Sequence, residues 1–483
     1  MTAGLIVGWG LAIGAGVLLW MNQQQRHVHQ IEPLPGPPTA DPRFAALVKS
    51  VEELENEEGF EAAAIALCVL DGAGSPVVRH QDTRSIIPAS ALKTVTTATA
   101  LEKLGPDFRF KTLLQGTVAF EPAPETYKGD LVILGGGDPS FTKENLVDWA
   151  KWLASKGIKK LDGRVIGDGQ VFPELIAAKA WDWGDVGNRY GAPVSGLNID
   201  QNAFSALFRP GDTVGSPATL AQVFPDVPGV ELINLMLTCG ETRDSSDTPH
   251  VYGGPYSPTL TFRGAVRSGR DEEAVEGSVP DPAFAAAHRF KQAIEGMGIT
   301  VTGKATTARQ LSLKGKKRPE ALQTAAVHQS EPLIELILPL HAESINLYAE
   351  CLFRLLALES DERDGRKVIK EHWGSRGIDF VGLRMEDGSG LARADLIRAI
   401  DLARVNHAVR HGPHGDAFVG TLTELYDHKV RWKVGYMSRV RTHVGFVGDY
   451  TFVLAFNHHD ASISKVSKAR DRLMKLLIAS VGL

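Results

Sequence analysis

Ile86-Ile87-Pro88-Ala89-Ser90-Ala91-Leu92-Lys93-Thr94-Val95 is the stretch on which the reading of the fold turns. Pro88 and Ser90 mark a helix start, Leu92, Val95 and Leu101 recur at helical spacing, and Gly105 supplies a stop. The pattern predicts a helix of about four turns. On its first turn Ser90 and Lys93 share a face, three residues apart. A serine hydroxyl is a weak nucleophile until a base within about 3 Å takes its proton. A lysine amine serves once its pKa falls, and a helix start and partial burial both push it down. By itself an S-x-x-K reads most simply as a capping serine and a solvated lysine. Two further segments, Ser344-Ile345-Asn346 and Lys433-Val434-Gly435, shift the weight towards chemistry.

Composition narrows the field. The 483 residues are 43% apolar and 23% charged, which suits a globular protein of two or three domains. The net charge of −5, with no large basic block, makes nucleic acid an unsuitable partner. Cys68, Cys239 and Cys351 are far apart in apolar surroundings and read as core residues, and an odd number excludes a complete disulfide framework. There is neither C-x-x-C nor H-E-x-x-H, so no metal site is expected; His411, His414, His458 and His459 read as loop residues.

Residues 1–25 carry no charged side chain, and Ala3–Met21 is a 19-residue apolar run. Its length as a helix is about 28 Å, close to the hydrocarbon thickness of a bilayer. No basic residues precede it and no small-x-small cleavage site follows, so 1–24 reads as a membrane anchor in preference to a removed signal. Proline-rich Ile31–Pro38 makes 25–42 a linker. Arg26, just after the span, argues by the positive-inside rule against an external domain.

Beyond the linker, Phe44–Glu58 reads as a helix, and Ala63–Leu70 and Pro76–Arg79, joined by Asp71-Gly72-Ala73-Gly74, as a hairpin. Ser90 and Ser344 then lie 254 positions apart, so something domain-sized is inserted between them. Leu131–Leu134, Leu232–Cys239 and Tyr256–Gly264 make that insert strand-rich, with one clear helix at Pro282–Met297. Gly135-Gly136-Gly137 lacks the G-x-G-x-x-G or G-K-[ST] of a phosphate loop. Helical periodicity over Pro332–Leu358 carries Ser344 and Asn346; Arg431–Phe456 alternates as three strands, and Ser464–Val481 is an amphipathic helix. Matching content in the two flanks predicts one domain, 43–111 with 328–483, split by inserted subdomains at 112–327.

S-x-x-K, S-x-N and K-[ST]-G in this order are the signature of penicillin-binding proteins and serine β-lactamases. Together with Ile87-Pro88-Ala89-Ser90, Gly135-Gly136-Gly137-Asp138-Pro139, Tyr190–Ser195, His328–Leu333 and Asp387-Gly388-Ser389-Gly390-Leu391, they make the chain from about residue 45 onward resemble one family. It is that of the serine D-alanyl-D-alanine carboxypeptidase/endopeptidases, the class C penicillin-binding proteins. The resemblance implies an α+β fold: a β-lactamase/transpeptidase-like domain, an antiparallel five-stranded sheet flanked by helices, split by two inserted subdomains. It implies hydrolysis of peptidoglycan stem peptides ending in D-Ala-D-Ala, or of D-Ala–diaminopimelate cross-links. No cofactor is expected, β-lactam antibiotics are expected as covalent inhibitors, and with the apolar run at the N-terminus the expected setting is the cell envelope, periplasmic or extracytoplasmic, with the membrane reached through the N-terminal segment. Carried over by position, Ser90 is the nucleophile, Lys93 its base, Ser344 a proton relay, Asn346 a substrate holder and Lys433 the attractor of the terminal carboxylate. Backbone N–H groups of Ser90 and Tyr436 form the oxyanion hole beside Gly435, while Asp185 and Arg393 flank the diaminopimelate side chain.

Two departures stand out. Val434 replaces the hydroxyl residue of K-[ST]-G, and Tyr436 stands where a second small hydroxyl residue is usual. A hydrogen bond to a charged group is worth about 1.5–3 kcal/mol, so its loss weakens turnover without abolishing it. The alternative expectation is therefore a weakened envelope protein that binds peptidoglycan without efficient hydrolysis; an esterase on the same fold is a third.

Overall fold

The structure is a computed structural model that describes residues 41–120, 124–172, 175–244, 247–320, 322–361 and 363–483. The expected anchor at 1–24 and nearly all of the linker lie outside the described residues. Among the described residues no helix is long and apolar enough to cross a membrane. Arg43–Leu483 form one compact unit.

The chain enters this unit through α1 (Ala45–Leu54) and an antiparallel hairpin, β1 (Ala64–Leu70) and β2 (Pro76–His80). The turn is held as Asp71-Gly72-Ala73-Gly74 predicts: Asp71 Oδ1 accepts from the N–H groups of Ala73 and Ser75 at 2.9 Å each, and Gly74 takes a φ of 80°. A 3₁₀ turn, Ala89–Leu92, then runs into α2 (Lys93–Leu104), and Gly105 closes it at φ 80°. Every residue of α2 from Lys93 to Leu101 is buried. Its four threonines are tolerated there because each hydroxyl donates to a carbonyl: Thr94 to Ala91, Thr97 to Lys93, Thr99 to Val95, and Thr96 across to Gly388.

The insert builds its own sheet. β3 (Lys111–Gly116), β4 (Leu131–Leu134), β5 (Val165–Asp168), β6 (Ala305–Thr307) and β7 (Gln323–Gln329) stand in the order β6-β5-β4-β3-β7. β3 and β7 pair antiparallel and straddle the expected boundaries at 111/112 and 327/328. α3 (Pro282–Gly296) starts where proline at the first helical position predicts, with Asp281 accepting from Phe284 N–H at 3.0 Å. Three further three-stranded sheets, Ala203–Arg209 with Thr219–Phe224 and Glu273–Ser278, Glu231–Cys239 with His250–Tyr252 and Thr259–Arg267, and the short Lys160–Leu161 with Thr126–Tyr127 and Thr300–Val301, complete this strand-rich region around a core including Phe141, Trp149, Phe262 and Phe290.

The single helix expected over 332–358 is two, α4 (Leu333–Ala342) and α5 (Asn346–Ala357). The break falls at Ser344, whose φ of 59° no right-handed helix accommodates. After α6 (Ala399–Arg410) come β8 (Thr423–Leu425), β9 (Val430–Met437), β10 (Val440–Val447) and β11 (Tyr450–Asn457), then α7 (Ile463–Ser480). These strands join the opening hairpin in one antiparallel sheet, β8-β9-β10-β11-β1-β2, so both flanks of the chain share it. It has the five strands expected plus the short edge strand β8. Alternation divides the side chains: Leu67, Val69, Trp432 and Leu454 face α1 and α7, while Cys68, Val444 and Val453 face the buried helix α2. All three cysteines are buried and free.

Candidate active site

The start of α2 brings Ser90 and Lys93 together. Lys93 Nζ lies 2.9 Å from Ser90 Oγ, 2.5 Å from Asn346 Oδ1 and 2.7 Å from the Ser389 carbonyl. The side chain is 0% exposed. Burial first, and the neighbouring Lys433 charge second, hold the amine well below the ordinary lysine range, against the opposing pull of Asp387, Glu350 and Asp395. Its Nζ donates to three oxygens, those of Ser90, Asn346 and Ser389, which matches the three hydrogen-bonding directions of a lysine amine.

The break between α4 and α5 arranges the second motif. Ser344 sits on the loop and Asn346 opens α5, where its Nδ2 donates to the Tyr190 carbonyl at 2.7 Å. Lys433, on β9, reaches Ser344 Oγ at 2.9 Å and the Val434 carbonyl at 3.0 Å. Burial lowers its pKa to about 8. Gly435 faces the Ser90 turn directly: a Cβ there would stand 2.1 Å from the Pro88 carbonyl oxygen and 2.9 Å from Ala91 N. Only a glycine lets the strand lie this close to the turn that carries Ser90. Tyr436 itself is exposed, with the Arg441 guanidinium 3.3 Å from its ring centroid. Val434 turns to the opposite sheet face and packs against the α1–α7 core.

Of the two outlying residues, Asp185 accepts from the Tyr190 hydroxyl at 3.1 Å, and partial burial raises its pKa while Arg393 counters. Arg393 lies 3.6 Å from Asp182 and donates to the Ser438 carbonyl at the end of β9. The structure therefore brings Ser90, Lys93, Asn346, Ser344, Lys433 and Gly435 into one crevice, with Asp185 and Arg393 at its rim. Among the described residues no cluster of three or more His, Cys, Asp or Glu side chains could hold a metal ion.

Sequence reasoning missed the support behind Lys93. Asp387 is fully buried and accepts from the N–H groups of Ser389, Gly390 and Ala392 at 2.6–2.9 Å and from Trp181 Nε1 at 2.7 Å. This fixes the loop whose Ser389 carbonyl meets Lys93. Glu350 accepts from Gly388 N–H at 2.7 Å, and burial pushes its pKa up to about 8. The Asp387–Leu391 motif signalled the loop, but a backbone carbonyl leaves no mark on residue type. His341, buried between the hydroxyls of Thr97 and Thr421 at 3.0 and 2.8 Å, was equally silent.

Fold and crevice together define a serine hydrolase architecture of the penicillin-binding kind, and comparison with known proteins gives the same class. Residues 47–476 match the D-Ala-D-Ala carboxypeptidase 3 (S13) family. A D-alanyl-D-alanine carboxypeptidase of Actinomadura sp. (strain R39) is 28% identical over 465 residues, 86% of this chain and 82% of that protein. The D-alanyl-D-alanine carboxypeptidase DacB of Haemophilus influenzae is 25% identical over 65% of this chain and 64% of its own. The crystal structure of penicillin binding protein 4 (dacB) from Haemophilus influenzae has the same fold, with a TM-score of 0.76 and 21% identity, covering 89% of this chain and 99% of that one. The chain belongs to the D-Ala-D-Ala carboxypeptidase 3 (S13) family and is an enzyme of the D-Ala-D-Ala carboxypeptidase class.

Proposed function

We propose that the protein is a serine DD-peptidase that cleaves D-Ala-D-Ala ends, and D-Ala–diaminopimelate cross-links, of peptidoglycan through a Ser90 acyl-enzyme. The observation that carries this is the 2.9 Å contact between Ser90 Oγ and a fully buried Lys93 amine. Neutral Lys93 takes the hydroxyl proton as Oγ bonds to the D-Ala carbonyl carbon. The oxygen of the tetrahedral intermediate is held by the N–H groups of residues 90 and 436. As the C–N bond breaks, the leaving amine takes a proton from Ser344, which regains one from Lys433. Water then attacks the ester carbon. Its hydroxyl stays with the acyl group, its proton returns to Lys433 through Ser344, and Ser90 recovers its own from Lys93. Both lysines finish as they began.

Asn346 holds the substrate and Lys433 attracts its carboxylate, while Asp185 and Arg393 receive the side chain upstream. The catalytic unit is the pair of flanks, with the insert divided from them at the paired strands β3 and β7. The apolar run at 3–21 supports a place at the cell envelope, anchored by 1–24.

Intact-mass spectrometry after benzylpenicillin treatment tests this: one covalent adduct is expected, absent in Ser90→Ala. A folded protein that gains no adduct overturns the reading. Binding without efficient hydrolysis is the second reading, supported by Tyr436, exposed where a small hydroxyl residue is usual; Val434 adds no support, since it packs into the opposite core. Release of D-alanine from a D-Ala-D-Ala peptide over time separates the two.

A further inference from the structure

Two hollows of about 310 and 330 Å³ adjoin on the outer side of the crevice. The first is lined by Ser344 and Asn346, the second reaches Phe224, and Arg189, Gln201 and Glu276 line both. Together they form one groove leading from the proton-relay serine across the insert. Its middle is charged and paired: Arg189 lies 2.6 Å from Glu276 and donates to Gln201 Oε1 at 3.0 Å. Its far end is aromatic, with Phe224 47% exposed.

The groove is built rather than incidental. Gln201 stands in a left-handed turn in which Asp200, Gln201 and Asn202 all have φ between 48° and 55°. Such a run survives only where its surroundings overdetermine it. Here Asp200 is held by Arg289 at 2.8 Å and by Lys143 N–H at 3.0 Å, and Asn202 by the Pro193 carbonyl and Asn198 at 2.7 Å each. The wall residue Arg189 immediately precedes Tyr190, whose carbonyl receives Asn346 Nδ2. The groove and the crevice thus share one segment.

We propose that this groove receives the leaving strand of a cross-linked substrate: a second peptide bearing both carboxylate and ammonium groups, which Arg189 and Glu276 part to engage. The proposal rests on the acyl-enzyme route, in which Ser344 protonates the leaving amine, so a passage opening from Ser344 lies on the leaving side. Hollows of this size match a ligand far larger than one departing alanine. The charged pair suits a zwitterionic peptide better than a neutral glycan. Arg189, Gln201 and Glu276 are accordingly specificity-determining residues for cross-link cleavage over removal of a single terminal residue.

The test compares kcat/KM for a cross-linked peptide dimer with that for a monomeric pentapeptide, in the full chain and in Arg189→Ala and Glu276→Ala. These variants lie on separate segments, and their pairing is solvent-exposed, so folding does not depend on it. The expected result is a fall of at least fivefold in the dimer-to-monomer ratio in each variant, mainly through KM. A smaller fall in both, or no dimer cleavage by the parent protein while penicillin still labels it, overturns the groove assignment alone. Failure of penicillin to label the parent overturns the acyl-enzyme reading instead.

Discussion

Lys93 and Lys433 are two buried amines held in different ways. Lys93 is surrounded by acceptors and lies deep below its usual pKa; Lys433 is lowered only to about 8, by burial alone. At neutral pH Lys433 keeps its proton and can draw a carboxylate. Its charge is lost as pH rises through about 8. For peptides ending in a free carboxylate, kcat/KM is expected to fall by about tenfold per pH unit above that point. A substrate whose terminus is amidated should start from a lower kcat/KM and still show the limb, because Ser344 draws its proton from Lys433 with either substrate. A pH–rate profile of both substrates checks this, and a flat carboxylate profile to about pH 9.5 would contradict the role given to Lys433. The residue types at 90, 93, 344, 346 and 433 were all legible because their chemistry needs those types. The Ser389 and Tyr190 carbonyls were not, since any residue offers a carbonyl.

At the scale of elements, the crevice depends on two short irregularities beside regular structure. One is the break between α4 and α5, hidden in the sequence because Leu333–Ala342 and Asn346–Ala357 share a helical apolar period across the gap. Ser344 carries no residue-type sign of its left-handed backbone. The other is the bare contact between β9 and the Ser90 turn at Gly435. Gly435→Ala forces a methyl into the Pro88 carbonyl, so the strand must withdraw. We expect a loss of roughly 2–4 kcal/mol in unfolding free energy, read by urea denaturation, within the range of overpacking and lost buried contacts. Penicillin acylation should slow far more than that loss of stability explains, because the proposed mechanism takes one oxyanion-hole N–H from residue 436, which moves with the strand. Unchanged acylation would show that the contact serves packing alone. By contrast, the hairpin β1–β2, α3 and α7 were readable almost to the residue, since turn residues, an N1 proline and amphipathic spacing mark them locally.

For the whole molecule, the buried charges make stability depend on pH in two opposed windows. Glu350 titrates at about 8 in the fold against an ordinary 4.5, so between those values the folded state binds more protons and stability falls as pH rises. Lys433 titrates at about 8 against 10.5, so between those values the unfolded state binds more protons and stability climbs again. The opposed slopes of these two groups meet near pH 8. Glu350→Gln keeps an acceptor for Gly388 N–H while removing the first effect. Its stability should match or trail the parent's at about pH 4.5 and exceed it increasingly towards about pH 8, by a few kcal/mol at most. Thermal unfolding across that range decides the matter; an equal difference at every pH would mean Glu350 does not titrate there. None of this was visible in the sequence. Burial of Glu350 and Asp387 follows from how the two flanks close around α2, a contact of distant segments.

The indole of Trp181 is hydrogen-bonded to Asp387, and the Tyr190 carbonyl to Asn346, so the insert supplies partners to groups within the crevice. Excising 112–327 to miniaturise the enzyme would strip a buried carboxylate of its indole donor and an asparagine amide of its acceptor. Grafting the two flanks together would therefore yield a truncated scaffold whose core loop keeps its own backbone bonds but lacks the indole that donates to Asp387. Any engineered short form has to replace those two bonds before it can work.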